Sequence, residues 1–195
     1  LFELNLTARS ATRLTKGDHA LLNWSYVRSA DRHVMQIDEP TRWGEIWTLG
    51  PASRDAPVQV THVYDTLAKD FALARQDRLE WKGADGTRVE GLLYYPIGYQ
   101  RGQRYPLVVQ THGGPQASDK FGFGAWNYYS QVLTGMGYAV LRPNYRGSTG
   151  YGDTFLRDMV GHYFNQAHLD VITGVDHVIN LGVAETNTAF ANSGI

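Results

Sequence analysis

The 195-residue chain contains no cysteine and only 3 methionines. Without a thiol there is no disulfide, no Cys-ligated zinc or iron–sulfur cluster and no thiolate nucleophile. The compartment stays open, with the cytoplasm preferred over periplasm or secretion. Charge of one sign is lacking as well: 18 Lys and Arg stand against 19 Asp and Glu, a net charge of -1. No basic stripe is available to neutralise phosphates, so neither nucleic acid nor an anionic membrane surface is an expected partner. No apolar run approaches the roughly 18 residues of a spanning helix, and Leu1-Phe2-Glu3-Leu4 offers neither a basic n-region nor an h-region. An initial Met is also absent, from which the sequence is expected to be a piece of a longer chain. What is abundant points to a packed interior: 43% hydrophobic residues, 12 Tyr, 7 Phe and 5 Trp exclude wholesale disorder. The length suits one large domain, two small ones, or pieces of two.

The chain has two halves of different pattern. Over residues 1–66, short alternating or apolar segments (Phe2/Leu4/Leu6, Ala20 to Val27, Val34 to Ile37) predict strands. Leu1-Phe2-Glu3-Leu4 followed by Leu14-Thr15 resembles Ile46-Trp47-Thr48-Leu49 followed by Val60-Thr61, a self-similarity at about 45 residues, the size of a propeller blade. A chance match between two amphipathic strands is the other reading. From residue 67 onward the pattern is that of an α/β sheet. Gly83-Ala84-Asp85-Gly86 is a hairpin turn between strands Arg78 to Lys82 and Thr87 to Tyr95. The continuous runs Leu107-Val108-Val109 and Tyr138-Ala139-Val140-Leu141 predict strands buried on both faces, with a crossover helix over Trp126 to Met136 between them. Val171, Ile172, Val175, Val178 and Ile179 fall at helical spacing, and Gly182 stops that helix.

Sites of open α/β sheets lie at the carboxyl ends of the strands. The residues there are His112-Gly113-Gly114-Pro115 and Asn144-Tyr145-Arg146-Gly147-Ser148-Thr149-Gly150-Tyr151-Gly152. Paired glycines let backbone N–H groups face a cleft, an arrangement suited to an oxyanion and used by the HGGG-type loops of α/β-hydrolases. A plain tight turn is the competing reading. The second loop lacks the Lys-Ser/Thr of a P-loop and the G-x-G-x-x-G spacing, which argues against nucleotide binding. His162, His168 and His177, with Asp170 and Asp176, make no i, i+4 His pair and no H-E-x-x-H, so no metal site is expected and a solvated helix face is. His19, His33 and His62 are expected at the surface.

From about Glu90 to Gly182 these motifs resemble the prolyl oligopeptidase family of serine peptidases, nearest its acylaminoacyl peptidase and dipeptidyl-peptidase-like branches. The resemblance implies the N-terminal half of an α/β-hydrolase domain (67–195) preceded by the last strands of a β-propeller (1–66). It implies hydrolysis of short peptides through an acyl-enzyme, with no metal or organic cofactor. By the same resemblance His112, Gly113 and Gly114 form the oxyanion loop, with the Gly114 N–H as donor. His112 stands where the dipeptidyl peptidase branch has a Tyr. Arg146, Gly147, Ser148 and Tyr151 match the family's second loop, read as scaffolding beside the active site.

One departure is large. The nucleophile elbow G-x-S-x-G is expected soon after Leu181-Gly182-Val183-Ala184, but Ser193 is flanked by Ala191 and Ile195 at the positions of the two glycines. An ungapped reading puts the nucleophile near Ile195, with the Asp and His later still. None of the triad is then present, and the 195 residues are expected to be an inactive fragment. Two alternatives remain: an esterase of the HGGG type, and a propeller-bearing binding protein that has lost its nucleophile. Side-chain preference, exo- or endopeptidase action and a homo-oligomer of the full-length protein stay open.

Overall fold

The computed structural model describes residues 1–50, 56–114, 116–123, 128–161, 163–186 and 189–192. Chain contacts divide it into two units, Leu1–Leu73 with Phe121–Tyr128, and Ala74–Lys120 with Tyr129–Ile195.

In the first unit, alternation yields strands throughout. β1 (Phe2–Asn5) and β2 (Ser10–Arg13) pair antiparallel. β3 (Ala20–Val27), β4 (Arg32–Glu39), β5 (Arg42–Leu49) and β6 (Val58–Gln59) then form a four-stranded antiparallel meander in chain order. A single helical turn, α1 (Leu67–Asp70), follows. Met35, Ile37 and Leu49 are buried at the centre, with Leu1, Leu14, Leu21 and Trp47 packed against them. The self-similar segments make the same bonds. Leu14 N–H donates to the Leu1 carbonyl (2.9 Å) and Val60 N–H to that of Ile46 (2.7 Å). The Leu1 amine donates to Thr15 Oγ1 (2.7 Å) and Ile46 N–H to Thr61 Oγ1 (2.8 Å).

The second unit is built on a five-stranded sheet of β7 (Gln76–Lys82), β8 (Arg88–Tyr94), β9 (Leu107–Thr111), β10 (Ala139–Asn144) and β11 (Ala189–Asn192). Its spatial order is β11-β9-β10-β8-β7. β7 and β8 are the expected hairpin, closed by Gly83 N–H to Thr87 O (2.8 Å). The two apolar runs lie side by side and parallel, Ala139 opposite Leu107 and Leu141 opposite Val109, while β8 meets β10 antiparallel. Three helices follow in order: α2 (Tyr128–Gly135), α3 (Asp153–Arg157) and α4 (Tyr163–Asn180). The crossover helix is present but ends at Gly135, one residue before the expected Met136; Trp126 and Asn127 lie outside the described residues.

Val175 and Val178 of α4 pack with Trp81, Val89, Leu93, Leu107, Val109, Ala139 and Leu141 as the core on one sheet face. Trp81 fills space that two glycines leave. A Cβ on Gly174 of α4 stands 2.7 Å from Trp81 Cζ2, and one on Gly91 of β8 stands 2.9 Å from Trp81 Cη2. The expected strand end at Leu141 is too early: β10 continues through Pro143 to Asn144, with Pro143 opposite Gly91.

The expectation of a solvated face for Asp170 is corrected. Its side chain is fully buried, because it lies in phase with Ala167, Gly174 and Val178 on the inner side of α4. His168 and Asp176 are exposed as expected, whereas His177 is half-buried and stacks on Trp81 at 6.4 Å. His162 lies outside the described residues.

Candidate active site

β9 and β10 run parallel, so their carboxyl ends deliver the two signature loops to the same edge of the sheet. The loop after β9 begins with His112, whose ring is buried although it is polar. Burying an imidazole is tolerable only if its nitrogens find partners. They do: Nε2 lies 2.8 Å from Ser148 Oγ and Nδ1 lies 3.1 Å from the Gly113 carbonyl oxygen. The Ser148 hydroxyl also lies 2.6 Å from the Tyr145 carbonyl oxygen, to which it donates. Tyr145 closes the circuit, its hydroxyl donating to the His112 carbonyl at 2.5 Å while its ring stacks on the imidazole at 4.7 Å and 13°. His112 and Ser148, placed on separate loops by the sequence, thus form one buried cluster with Tyr145.

Gly113 and Gly114 remain exposed beside it. Gly114 has φ +124°, a region that side-chain-bearing residues avoid, and a Cβ there would stand 3.0 Å from Gln116 N. A cavity of about 580 Å³ opens between Gly114 and Gln116 on one side and Asp153, Leu156, Arg157, Met159 and Val160 on the other. Pro115 lies outside the described residues. The two loops are tied again by Thr149 N–H donating to Ala117 O (2.9 Å).

Arg146 is buried and its guanidinium meets three carboxylates, the buried Asp170 and the partly exposed Asp85 and Asp158. Its backbone N–H and its Nε both donate to Asp170 Oδ2 (3.0 and 2.9 Å), and its Nη2 donates to Asp170 Oδ1 at 2.7 Å. Nη1 reaches Asp85 Oδ2 at 2.5 Å and Asp158 Oδ2 at 3.3 Å. One guanidinium therefore joins the β7–β8 turn, the β10 loop, the segment after α3, and α4. Its hydrogen bonds hold the Asp85 carboxyl well below the usual carboxylate range, and those carboxylates hold Arg146 further above its ordinary value. Gly147 is buried in this loop, its N–H donating to Phe155 O (3.1 Å). Tyr151 accepts from Asn144 Nδ2 (2.9 Å), and burial beside Glu90 pushes its phenol up to about 12. It stays protonated at neutral pH.

Asp170 and Tyr145 were given no role by the sequence. For Asp170 the signal was present, since the phase of the apolar residues on α4 places it inward. For Tyr145 nothing local distinguishes an aromatic that caps a carbonyl from one that fills space. Among the described residues no cluster of His, Asp or Glu is arranged to hold a metal ion. Ser193 and Ile195 lie outside the described residues.

With this geometry in view, the comparisons are specific. Residues 124–192 match the model of the prolyl oligopeptidase family. The chain is 30% identical over 146 residues, 75% of its length, to an uncharacterized peptidase, YuxL, of Bacillus subtilis, covering 22% of that protein. It is 44% identical over 78 residues (40% of this chain, 11% of the relative) to dipeptidyl aminopeptidase BIII of Pseudoxanthomonas mexicana. Against the acylamino-acid-releasing enzyme of Homo sapiens it is 35% identical over 104 residues, 53% of this chain and 13% of that one. The chain spans less than a quarter of the length of these curated relatives. Among solved structures, Pyrococcus horikoshii acylaminoacyl peptidase superposes with a TM-score of 0.79 over 93% of this chain and 28% of its own, at 20% identity, a likeness of fold.

Proposed function

The chain belongs to the prolyl oligopeptidase family, and on that premise we propose that it is part of a serine peptidase acting on short peptides through an acyl-enzyme, of the aminopeptidase, acylaminoacyl peptidase or dipeptidyl peptidase type. The observation that carries this reading is the Gly113–Gly114 loop at the carboxyl end of a buried parallel strand, with Gly114 in a left-handed conformation at the wall of a cavity. In this reading the Gly114 N–H donates to the carbonyl oxygen of the scissile bond as a serine Oγ adds to its carbon and negative charge gathers on that oxygen. Removing one such donor costs about 10²–10³ in rate. Arg146, Gly147, Ser148 and Tyr151 act as scaffolding and touch no substrate. The acyl-enzyme cycle needs no metal or organic cofactor, because the serine ester stores the acyl group between the two halves of the reaction.

The second unit reads as the first part of an α/β-hydrolase domain, supported by its strand order and its one antiparallel inner strand, β8. The first unit reads as one and a half propeller blades, supported by the four-stranded meander, the β1–β2 pair and their repeated hydrogen bonds. The sequence holds no G-x-S-x-G. Residues 1–195 alone are therefore expected to turn over no peptide.

The test compares two proteins, the 195-residue chain and the product of the natural reading frame that contains it. Each is assayed on peptidyl anilides, N-acetylated peptides and short acyl esters, then treated with a serine-directed phosphonate. Turnover of the peptide substrates by the longer protein alone, with one labelled serine, supports the reading. Turnover of esters alone makes it an esterase, no turnover by either makes it a binding protein, and phosphonate labelling of Ser193 in the 195-residue chain overturns the inactivity of that chain.

A further inference from the structure

α3 has five residues, too few to hold a helix together in water, so its neighbours fix it. One side is anchored. Phe155 O accepts from Gly147 N–H (3.1 Å), the Phe155 ring meets that of Tyr151 at 5.1 Å, and Asp158 Oδ2 lies 3.3 Å from Arg146 Nη1. The other side is the row Asp153, Leu156, Arg157 and Val160, spaced i, i+3, i+4 and i+7, and this row walls the cavity opposite Gly114. Val160 N–H donates to Arg157 O (2.9 Å), which carries the turn on past the helix.

That spacing ordinarily turns apolar side chains into a core. Here it turns them toward open space: Val160 is 70% exposed, and Leu156 and Met159 are only half-buried. The cavity they line, about 580 Å³, is of the size that encloses a small organic molecule. Its one cation is Arg157, whose Nε donates to Asp153 Oδ1 at 2.7 Å. Nη1 and Nη2 have no further partner among the described residues, so that end of the guanidinium is open to an anion.

We propose that this cavity seats the departing part of the peptide substrate: the apolar side chain of the residue after the scissile bond lies on Leu156, Met159 and Val160, and the terminal carboxylate that follows it is met by the Nη groups of Arg157. The inference rests on the peptidase reading, which it deepens by naming the leaving group. With Gly114 N–H on the scissile carbonyl oxygen at the cavity wall, the chain on one side of that carbonyl enters the cavity. Charge decides which side. The acyl part ends in an amine or an acyl cap, to which a guanidinium offers nothing. The departing part of a short peptide ends in a carboxylate, whose two oxygens match two parallel N–H donors. An apolar leaving residue is thereby favoured over a charged one, and a free acid over its amide.

The test uses the protein from the full reading frame and begins with a readout that needs no turnover. The Met159 methyl 13C resonance is identified by its loss in Met159→Leu, and Met35, buried in the first unit, is the control. Titration with phenylalanine should shift the Met159 line, phenylalanine amide should do so only at higher concentration, and Arg157→Gln should remove that difference. Substrates with one acyl part and Leu, Phe, Asp or Lys after the scissile bond, each as acid and amide, then give kcat/KM. Val160→Asp should move the ratio of Leu to Lys about tenfold toward Lys, while the order of preference among acyl parts in an anilide series stays as it is. Arg157→Gln should lower the ratio of acid to amide about threefold. The proposal is overturned by a Met159 resonance that neither ligand moves, whether or not the variants fold. It is equally overturned if Val160→Asp alters the acyl preference and not the leaving-residue ratio, or if Arg157→Gln leaves the acid-to-amide ratio in place. Should the unaltered enzyme turn over nothing, the peptidase reading falls, and the Met159 titration still decides whether the cavity takes an apolar residue with a free carboxylate.

Discussion

Arg146 and Asp170 show how much depends on single side chains in this sheet. Both are almost wholly buried, 4% and 0% exposed, and each satisfies the other. Replacing Arg146 by Met leaves the Asp170 carboxylate buried without its charge partner, a loss of about 3–5 kcal/mol. Urea unfolding followed by circular dichroism should show this as a lowered midpoint with little change in slope. Asp85 sits on the outer side of the same guanidinium and behaves differently. Its folded-state carboxyl is depressed by the Arg146 hydrogen bonds, so its contribution is complete above the ordinary Asp value of about 3.9. That contribution is lost as pH falls from there toward the depressed value. Asp85→Asn should flatten part of the acid limb of the stability profile, by a modest and salt-sensitive amount because the side chain is 40% exposed. At this scale the sequence is legible where burial follows period, as at Asp170. It is silent where a role depends on a contact between loops, as for the Tyr145 hydroxyl on the His112 carbonyl.

Among the elements, long runs of one pattern were readable and short ones were not. The strands around Ala20–Val27, Leu107–Thr111 and Ala139–Asn144, and the inner part of α4, announce themselves by apolar content or helical spacing. β11 has four residues and α3 has five, too few for any period to register, and β11 exists because β9 offers it a parallel partner. Pro143 hid the end of β10, because proline donates no ladder hydrogen bond and ordinarily closes a strand. It is accommodated opposite Gly91, where a Cβ would press to 3.0 Å on Pro143 Cα. The contact between α4 and the sheet likewise depends on a missing side chain. Gly174→Ala should cost about 1–3 kcal/mol by overpacking against Trp81. Gly135→Ala, at the last position of α2 with nothing within 4 Å of the new methyl, should be neutral or gain up to about 1 kcal/mol. Thermal unfolding of the two variants side by side checks the contrast.

For the whole molecule, the architecture passes from meander to mixed sheet between β6 and β7, and the two units divide between Leu73 and Ala74. The strand order was not legible, since β9 lies between two strands that follow it in the chain and only tertiary pairing decides that. In the first unit the repeated Thr is a structural device. Thr61 Oγ1 accepts from Ile46 N–H at 2.8 Å and donates to Glu45, a buried carboxylate that also accepts from Tyr64 N–H at 2.6 Å. Thr61→Val should cost about 1–3 kcal/mol, seen as faster hydrogen exchange at the Ile46 amide. In the second unit β11 is the last strand on its side among the described residues, and an unpaired strand edge recruits another. The 195-residue chain should therefore self-associate as its concentration rises, which sedimentation velocity measures; a monodisperse monomer throughout would contradict it. The slot occupied by Trp81 carries a separate, optical consequence. Among the described tryptophans, Trp24, Trp43 and Trp47 belong to the first unit and Trp81 to the second. Emission lost on replacing Trp81 by Phe is that of an indole inside the second unit. With its indole hydrogen-bonded to the Asp170 carbonyl and stacked on His177, Trp81 is a built-in chromophore that reports the loosening of α4 from the sheet without any attached dye.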